Sequence, residues 1–154
     1  MQLKNSILIL ACSLFFAGCK GDVAELHDVN GNVVQSSFLH GKWIILNYWA
    51  AWCATCIKEI PELDRFYQHN QDKNIVLYGI NYDQLPQAEL QTVMRKINIA
   101  FPVLLEDPQK IWQLDDIDAL PVTFIVDPHG KVVKKILGAN TEKSLLDILF
   151  YLQQ

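Results

Sequence analysis

Residues 43–56 read WIILNYWAAWCATC, and this stretch decides the fold. Trp43 to Trp49 is an almost continuous apolar run. It predicts a strand buried on both faces, as in a parallel α/β sheet. Two cysteines separated by two residues follow, Cys53 and Cys56. Beyond them Ile57, Ile60, Leu63 and Tyr67 recur at helical spacing as far as Asn70. Pro61 falls inside that helix, where it cancels one backbone hydrogen bond and predicts a kink.

A strand, a cysteine pair and a helix in that order carry a definite chemistry. Cysteines this close form a disulfide only in a tight local geometry, which a turn into a helix start supplies. The unpaired N–H groups and the dipole at that helix start favour thiolate. Cys53, at the end of the strand, is predicted to be the exposed nucleophile. Cys56, one turn into the helix, is predicted to be buried and to resolve the mixed disulfide. A zinc site is disfavoured, because no second cysteine pair or His-x-x-x-His accompanies the first, and His27, His40, His69 and His129 are scattered. A c-type haem site would need histidine where Ile57 stands. A purely structural disulfide would join distant segments, since so small a loop constrains little of the unfolded chain.

Working outward, Ile75–Ile80 predicts a second buried strand, Pro86–Lys96 a helix with proline in its first turn, and Phe101–Leu105 a short strand. Pro108–Leu114 predicts a short helix and Pro121–Val126 a further strand. A turn over residues 127–130 leads to a hairpin partner at Lys131–Leu137. Thr141–Leu152 predicts the last helix, with Thr141 as N-cap and Ser144 where a capping box prefers Glu or Gln. Before the central run, Asn30-Gly31 between short β-prone stretches signals a hairpin. The whole reads as one α/β domain, occupying residues 27–154.

The amino terminus reads differently. Ser6–Ala17 is a charge-free apolar run too short to cross a bilayer, and it suits the apolar core of an export signal. It ends in Phe16-Ala17-Gly18-Cys19, which resembles a bacterial lipoprotein signal, although Phe16 stands where that pattern prefers Leu. The resemblance implies a signal peptide over 1–18, lipid attachment at Cys19, a tether over 19–26, and a periplasmic protein anchored to a membrane. Lys20 follows the cysteine in place of the Asp that marks inner-membrane retention in enteric bacteria, which leans towards the outer membrane and leaves both membranes open. The 154 residues are 51% hydrophobic and 19% charged, with 13 basic and 17 acidic side chains and a net charge of −4. That balance excludes wholesale disorder and gives no electrostatic case for nucleic-acid binding. Of the four cysteines, Cys12 leaves with the signal, and only Cys53 and Cys56 remain for redox chemistry.

From Gly41-Lys42 through Trp49-Ala50-Ala51-Trp52-Cys53-Ala54-Thr55-Cys56, and again over Leu120–Asp127 and Gly130-Lys131, the chain resembles the TlpA/ResA group of thioredoxin-like proteins. The resemblance implies a thioredoxin fold: a central mixed sheet flanked by helices, with an N-terminal β-hairpin extension and a central insertion. It implies an exported thiol–disulfide oxidoreductase needing no cofactor, in a group several of whose members serve cytochrome c maturation. It also implies a disulfide-containing protein substrate and a membrane electron donor of the DsbD/CcdA type.

Three sites carry over. Pro121 matches the group's cis-proline, which would expose the backbone of Leu120 to a bound peptide. Glu59 matches an acid that would exchange a proton with Cys56; the alternative is a solvated helix glutamate beside Lys58 and Glu62. Asn47, where thioredoxin has a buried Asp, would then be structural. Trp52 would be partly exposed as a contact surface. Ala54-Thr55 lacks the histidine of strongly oxidising centres, so a moderately reducing poise is expected. Two other functions remain open. A peroxiredoxin-type peroxidase shares the fold, but would place Pro and Thr before a single cysteine. A copper-handling thiol protein suits soft thiolates but generally adds His or Met, and neither Met1 nor Met94 is near the pair in sequence.

Overall fold

The computed structural model describes residues 25–35, 39–71 and 73–154. The signal expected over 1–18, the expected lipid site Cys19 and most of the expected tether lie outside the described residues. Strand β3 (Trp43–Trp49) is the centre of a five-stranded sheet with strand order β5-β4-β3-β6-β7. β4 (Ile75–Asn81) and β5 (Val103–Leu104) continue parallel to it on one side. On the other side β6 (Val122–Val126) and β7 (Val132–Leu137) run antiparallel to their neighbours. The sheet is therefore mixed, as the resemblance implies.

The apolar run of β3 divides by alternation, the period-two consequence of a pleated strand. Ile45 and Trp49 face a core completed by α1 (Ala54–Asn70), α2 (Gln87–Ile97) and α4 (Glu142–Leu152). Ile44, Leu46 and Tyr48 face a second core that holds Phe124 of β6 and Trp112 of α3 (Gln109–Trp112). Both faces of the central strand are thus dry. α1 begins at Ala54, three residues before the predicted periodicity, and continues through Pro61 to Asn70. Pro61 is exposed, so the carbonyl it leaves unpaired can turn to water. At α4, Ser144 completes the capping box that the sequence reserved for Glu or Gln: its hydroxyl accepts from the Thr141 N–H, and Thr141 accepts from the Ser144 N–H.

The amino-terminal hairpin forms from β1 (Glu25–His27) and β2 (Val33–Gln35). β1 thus takes in Glu25 and Leu26, the expected end of the tether. Asp28 organises the turn: its carboxylate accepts from the N–H groups of Asn30 and Asn32 and from the Asn32 amide. The hairpin then docks on the sheet edge, where Val29 N–H donates to Val103 and Leu105 N–H to His27. The strand expected over 101–105 shortens to two residues. An edge strand presents unpaired backbone groups that invite aggregation, and here the hairpin takes part of them.

Candidate active site

Cys53 is the residue that caps α1. Its extended backbone (φ −86°, ψ 100°) ends the turn after β3, and its Sγ accepts the backbone N–H of Cys56 at 3.1 Å. Cys53 and Cys56 form a disulfide with their Cα atoms 5.2 Å apart. Cys56 is wholly buried, as predicted. Cys53 departs from the exposed nucleophile of the prediction, with only 8% of its surface accessible. The cause is local: its sulfur is turned back onto the first turn of α1, bonded to one partner and hydrogen-bonded to that partner's N–H.

Around this pair the contact surface comes from separate loops. Trp52 is 66% exposed, with its indole N–H donating to both carboxylate oxygens of Asp83, the nearer at 3.0 Å. Tyr82 meets its ring edge-on, with centroids 6.4 Å apart. The Leu120–Pro121 peptide is cis. The Pro121 carbonyl accepts from Gly138 N–H. Among the described residues neither the N–H nor the C=O of Leu120 has a hydrogen-bond partner, and its side chain packs against the core cluster that contains both cysteines.

Glu59 is not the solvated glutamate of the alternative reading. It is 2% exposed, although Lys58 and Glu62 beside it reach the surface more freely. One carboxylate oxygen accepts from the Asn47 amide at 2.8 Å and the other from the Asn140 backbone N–H at 2.8 Å. Burial pushes its carboxyl above the ordinary glutamate range, and these two hydrogen bonds pull in the opposite direction without cancelling it. Thr123 of β6 completes the cluster, its hydroxyl oxygen lying 3.1 Å from the amide nitrogens of both Asn47 and Asn140. Sequence reasoning brought Glu59 and Asn47 forward but missed Thr123 and Asn140. Thr123 sits inside a core strand and Asn140 one residue before a helix cap, positions where a polar side chain has ordinary explanations.

A mixed sheet of this order, with a Cys-x-x-Cys disulfide capping the helix after the central strand, defines a thioredoxin fold bearing a thiol–disulfide redox centre. The relatives agree. Residues 18–135 match the AhpC/TSA family, and the chain belongs to it. It is 32% identical to the thiol–disulfide oxidoreductase ResA of Bacillus subtilis, over 93% of this chain and 87% of that protein. ResA of Bacillus cereus is 30% identical over 77% of the chain and 68% of its own length. Among solved structures, a thiol:disulfide interchange protein of the thioredoxin family from Chlorobium tepidum superposes with a TM-score of 0.70 at 25% identity, covering 84% of this chain and 92% of that one. The exposed lipoprotein thioredoxin Etrx1 of Streptococcus pneumoniae shares the fold with a TM-score of 0.72 at 23% identity, covering 84% and 98%. The chain is a ResA-like thiol–disulfide oxidoreductase.

Proposed function

We propose that the protein is an extracytoplasmic disulfide reductase, lipid-anchored through Cys19, that reduces disulfides in exported proteins such as those awaiting covalent haem. The observation that carries the reading is the Cys53–Cys56 pair at the start of α1 with a buried carboxyl, Glu59, three residues further on. In the reduced state the N–H that now meets Cys53 Sγ favours its thiolate. That thiolate attacks one sulfur of a partner disulfide lying along Leu120 and Trp52. A mixed disulfide forms and the partner's other sulfur leaves as thiolate. Cys56 then gives its proton to Glu59, attacks Cys53 Sγ, and expels the partner's second thiolate, which takes up a proton. Two electrons have passed to the partner and the protein disulfide is restored. A membrane dithiol donor of the DsbD/CcdA type returns it to the dithiol.

The unpartnered backbone of Leu120 supports the docking step, because an extended peptide needs free N–H and C=O groups to pair with. Substrate trapping tests the cycle. Cys56→Ser is expected to accumulate exported proteins disulfide-linked to Cys53, and Cys53→Ser to accumulate none. An empty Cys56→Ser trap, or a potential near that of DsbA at about −120 mV, would overturn the reductase reading. The AhpC/TSA match gives a peroxidase reading its footing. Rapid peroxide consumption by the reduced protein would favour it instead.

A further inference from the structure

Glu59 changes charge, on the reading above, in a place that holds no cation. None of the ion pairs among the described residues includes it. We propose that Asn47, Thr123 and Asn140 are positioning residues that let Glu59 exchange a proton with Cys56 inside the core, one amide serving both of its charge states. The proposal rests on Glu59 being the proton partner of Cys56, and extends it to how a buried acid is kept workable without a counter-ion.

The hydrogen bonds carry the argument. Towards the carboxylate, Asn47 presents its Nδ2, and Asn140 its backbone N–H. This leaves Asn47 Oδ1 buried with no hydrogen-bond partner among the described residues, an arrangement that costs free energy and needs a cause. Thr123 supplies it. A hydroxyl oxygen accepts two hydrogen bonds, and Thr123 Oγ1 takes one from each asparagine amide, which pins the Asn47 nitrogen beside Glu59.

When Glu59 gains the Cys56 proton it becomes a donor. If the Asn47 amide then turns over, Oδ1 occupies the place of Nδ2. There it accepts from the Glu59 carboxyl and from the Thr123 hydroxyl, which switches from acceptor to donor. The orphan oxygen is the acceptor that the protonated state requires. An aspartate at 47 could not donate to the carboxylate, and a leucine could do neither. In the step itself the proton passes from Cys56 Sγ to Glu59. The electron pair stays on sulfur and forms the bond to Cys53, while the partner's thiolate leaves.

Other charges near Glu59 are paired elsewhere or exposed to solvent. α1 brings Cys56 and Glu62, the latter paired with Arg65, and exposed Lys58. The start of α4 brings Glu142, paired with His69, and Lys143, paired with Asp147. On this face β3 offers Ile45, Asn47 and Trp49, and β6 offers Thr123 and Ile125, none of them titratable.

Stopped-flow reaction of the reduced full chain with Ellman's reagent separates the steps. Attack by Cys53 releases one aromatic thiolate and resolution by Cys56 releases the second, so the second rate is followed against pH. Thr123→Val is expected to raise the midpoint of that profile by about one pH unit, the equivalent of one lost hydrogen bond to the anion. Thr123→Ser should bring it back. Asn47→Asp, nearly isosteric, should also raise it, since two adjacent carboxylates compete for one proton. If Glu59→Gln abolishes the titration while Thr123→Val and Asn47→Asp keep the wild-type midpoint, the positioning array is refuted and the role of Glu59 stands. If Glu59→Gln leaves the profile intact, the role of Glu59 itself falls.

Discussion

Gly79 lies in the middle of the sheet, opposite Asn47 of β3 on one side and Val103 of β5 on the other. A methyl group added there would stand 2.8 Å from Phe101 Cε2, 3.0 Å from Trp49 Nε1 and 3.1 Å from Val103 Cγ2. All three neighbours are buried, so none can swing into solvent. Overpacking a finished core costs about 1–3 kcal/mol, offset by about 0.4–1 kcal/mol because alanine has fewer unfolded conformations to lose. Gly79→Ala should therefore destabilise by about 1.3 kcal/mol at the middle of these ranges and at most about 2.6 kcal/mol, and for a domain of this size the middle value lowers Tm by about 3–5 °C. The displaced neighbour matters for function as well as for stability. Trp49 leads into the active-site turn, and its carbonyl holds Tyr82 N–H. Urea denaturation of the oxidised and reduced forms measures the first effect, and the rate of Cys53 alkylation the second. A denaturation midpoint equal to or above wild type would show that the core has slack at Gly79, and the argument from close approach would fail.

Two other outcomes follow from single groups. Folding raises the Glu59 carboxyl above its ordinary value of 4.5, so the folded state binds the extra proton. Stability supplied by that proton is present at low pH and lost as pH rises from the ordinary value through the folded one. Glu59→Gln lacks this loss, so its stability relative to wild type should grow as pH rises from about 4.5 towards neutrality in paired denaturation curves; a gap that narrows would contradict the burial argument. Asp28→Ala removes three acceptor bonds from the hairpin turn. Hydrogen exchange at Val29 and Leu105 should speed up by at least tenfold, about 1.4 kcal/mol, while the rate of Cys53–Cys56 reduction stays unchanged. Unaltered protection at both amides would mean the turn does not hold the hairpin.

How much of this could be read from the residues depended on the range of the interaction. β3, α1 and the cysteine pair are local patterns, and their order alone placed the disulfide at the start of a helix. The cap at Thr141 is equally local, and Ser144 filled a role assigned to longer side chains because only reach to one N–H was needed. The surroundings of Glu59 are of another kind. Its partner Asn140 is 81 positions away, and Thr123 meets Asn47 across 76. Nothing in the spacing of polar residues announces a bond that exists only once β3, β6 and the turn before α4 have come together. The burial of Cys53 was hidden for a related reason: which way a capping sulfur points is set by the helix it caps.

The docking of the hairpin also sets a direction. Asp28 bridges Leu104 in antiparallel sense, and β5 runs parallel to β3 through β4. Going backwards from Asp28 to Glu25, the chain therefore travels towards the end of the sheet at which β3 delivers Cys53. Cys19 stands six positions before Glu25, a reach of about 20 Å at full extension. On the proposed acylation of Cys19, the lipid would act as a short leash leaving the fold towards its reactive pole. It would keep the disulfide facing the lipid surface, within range of a donor embedded there, and leave the opposite pole to the open compartment.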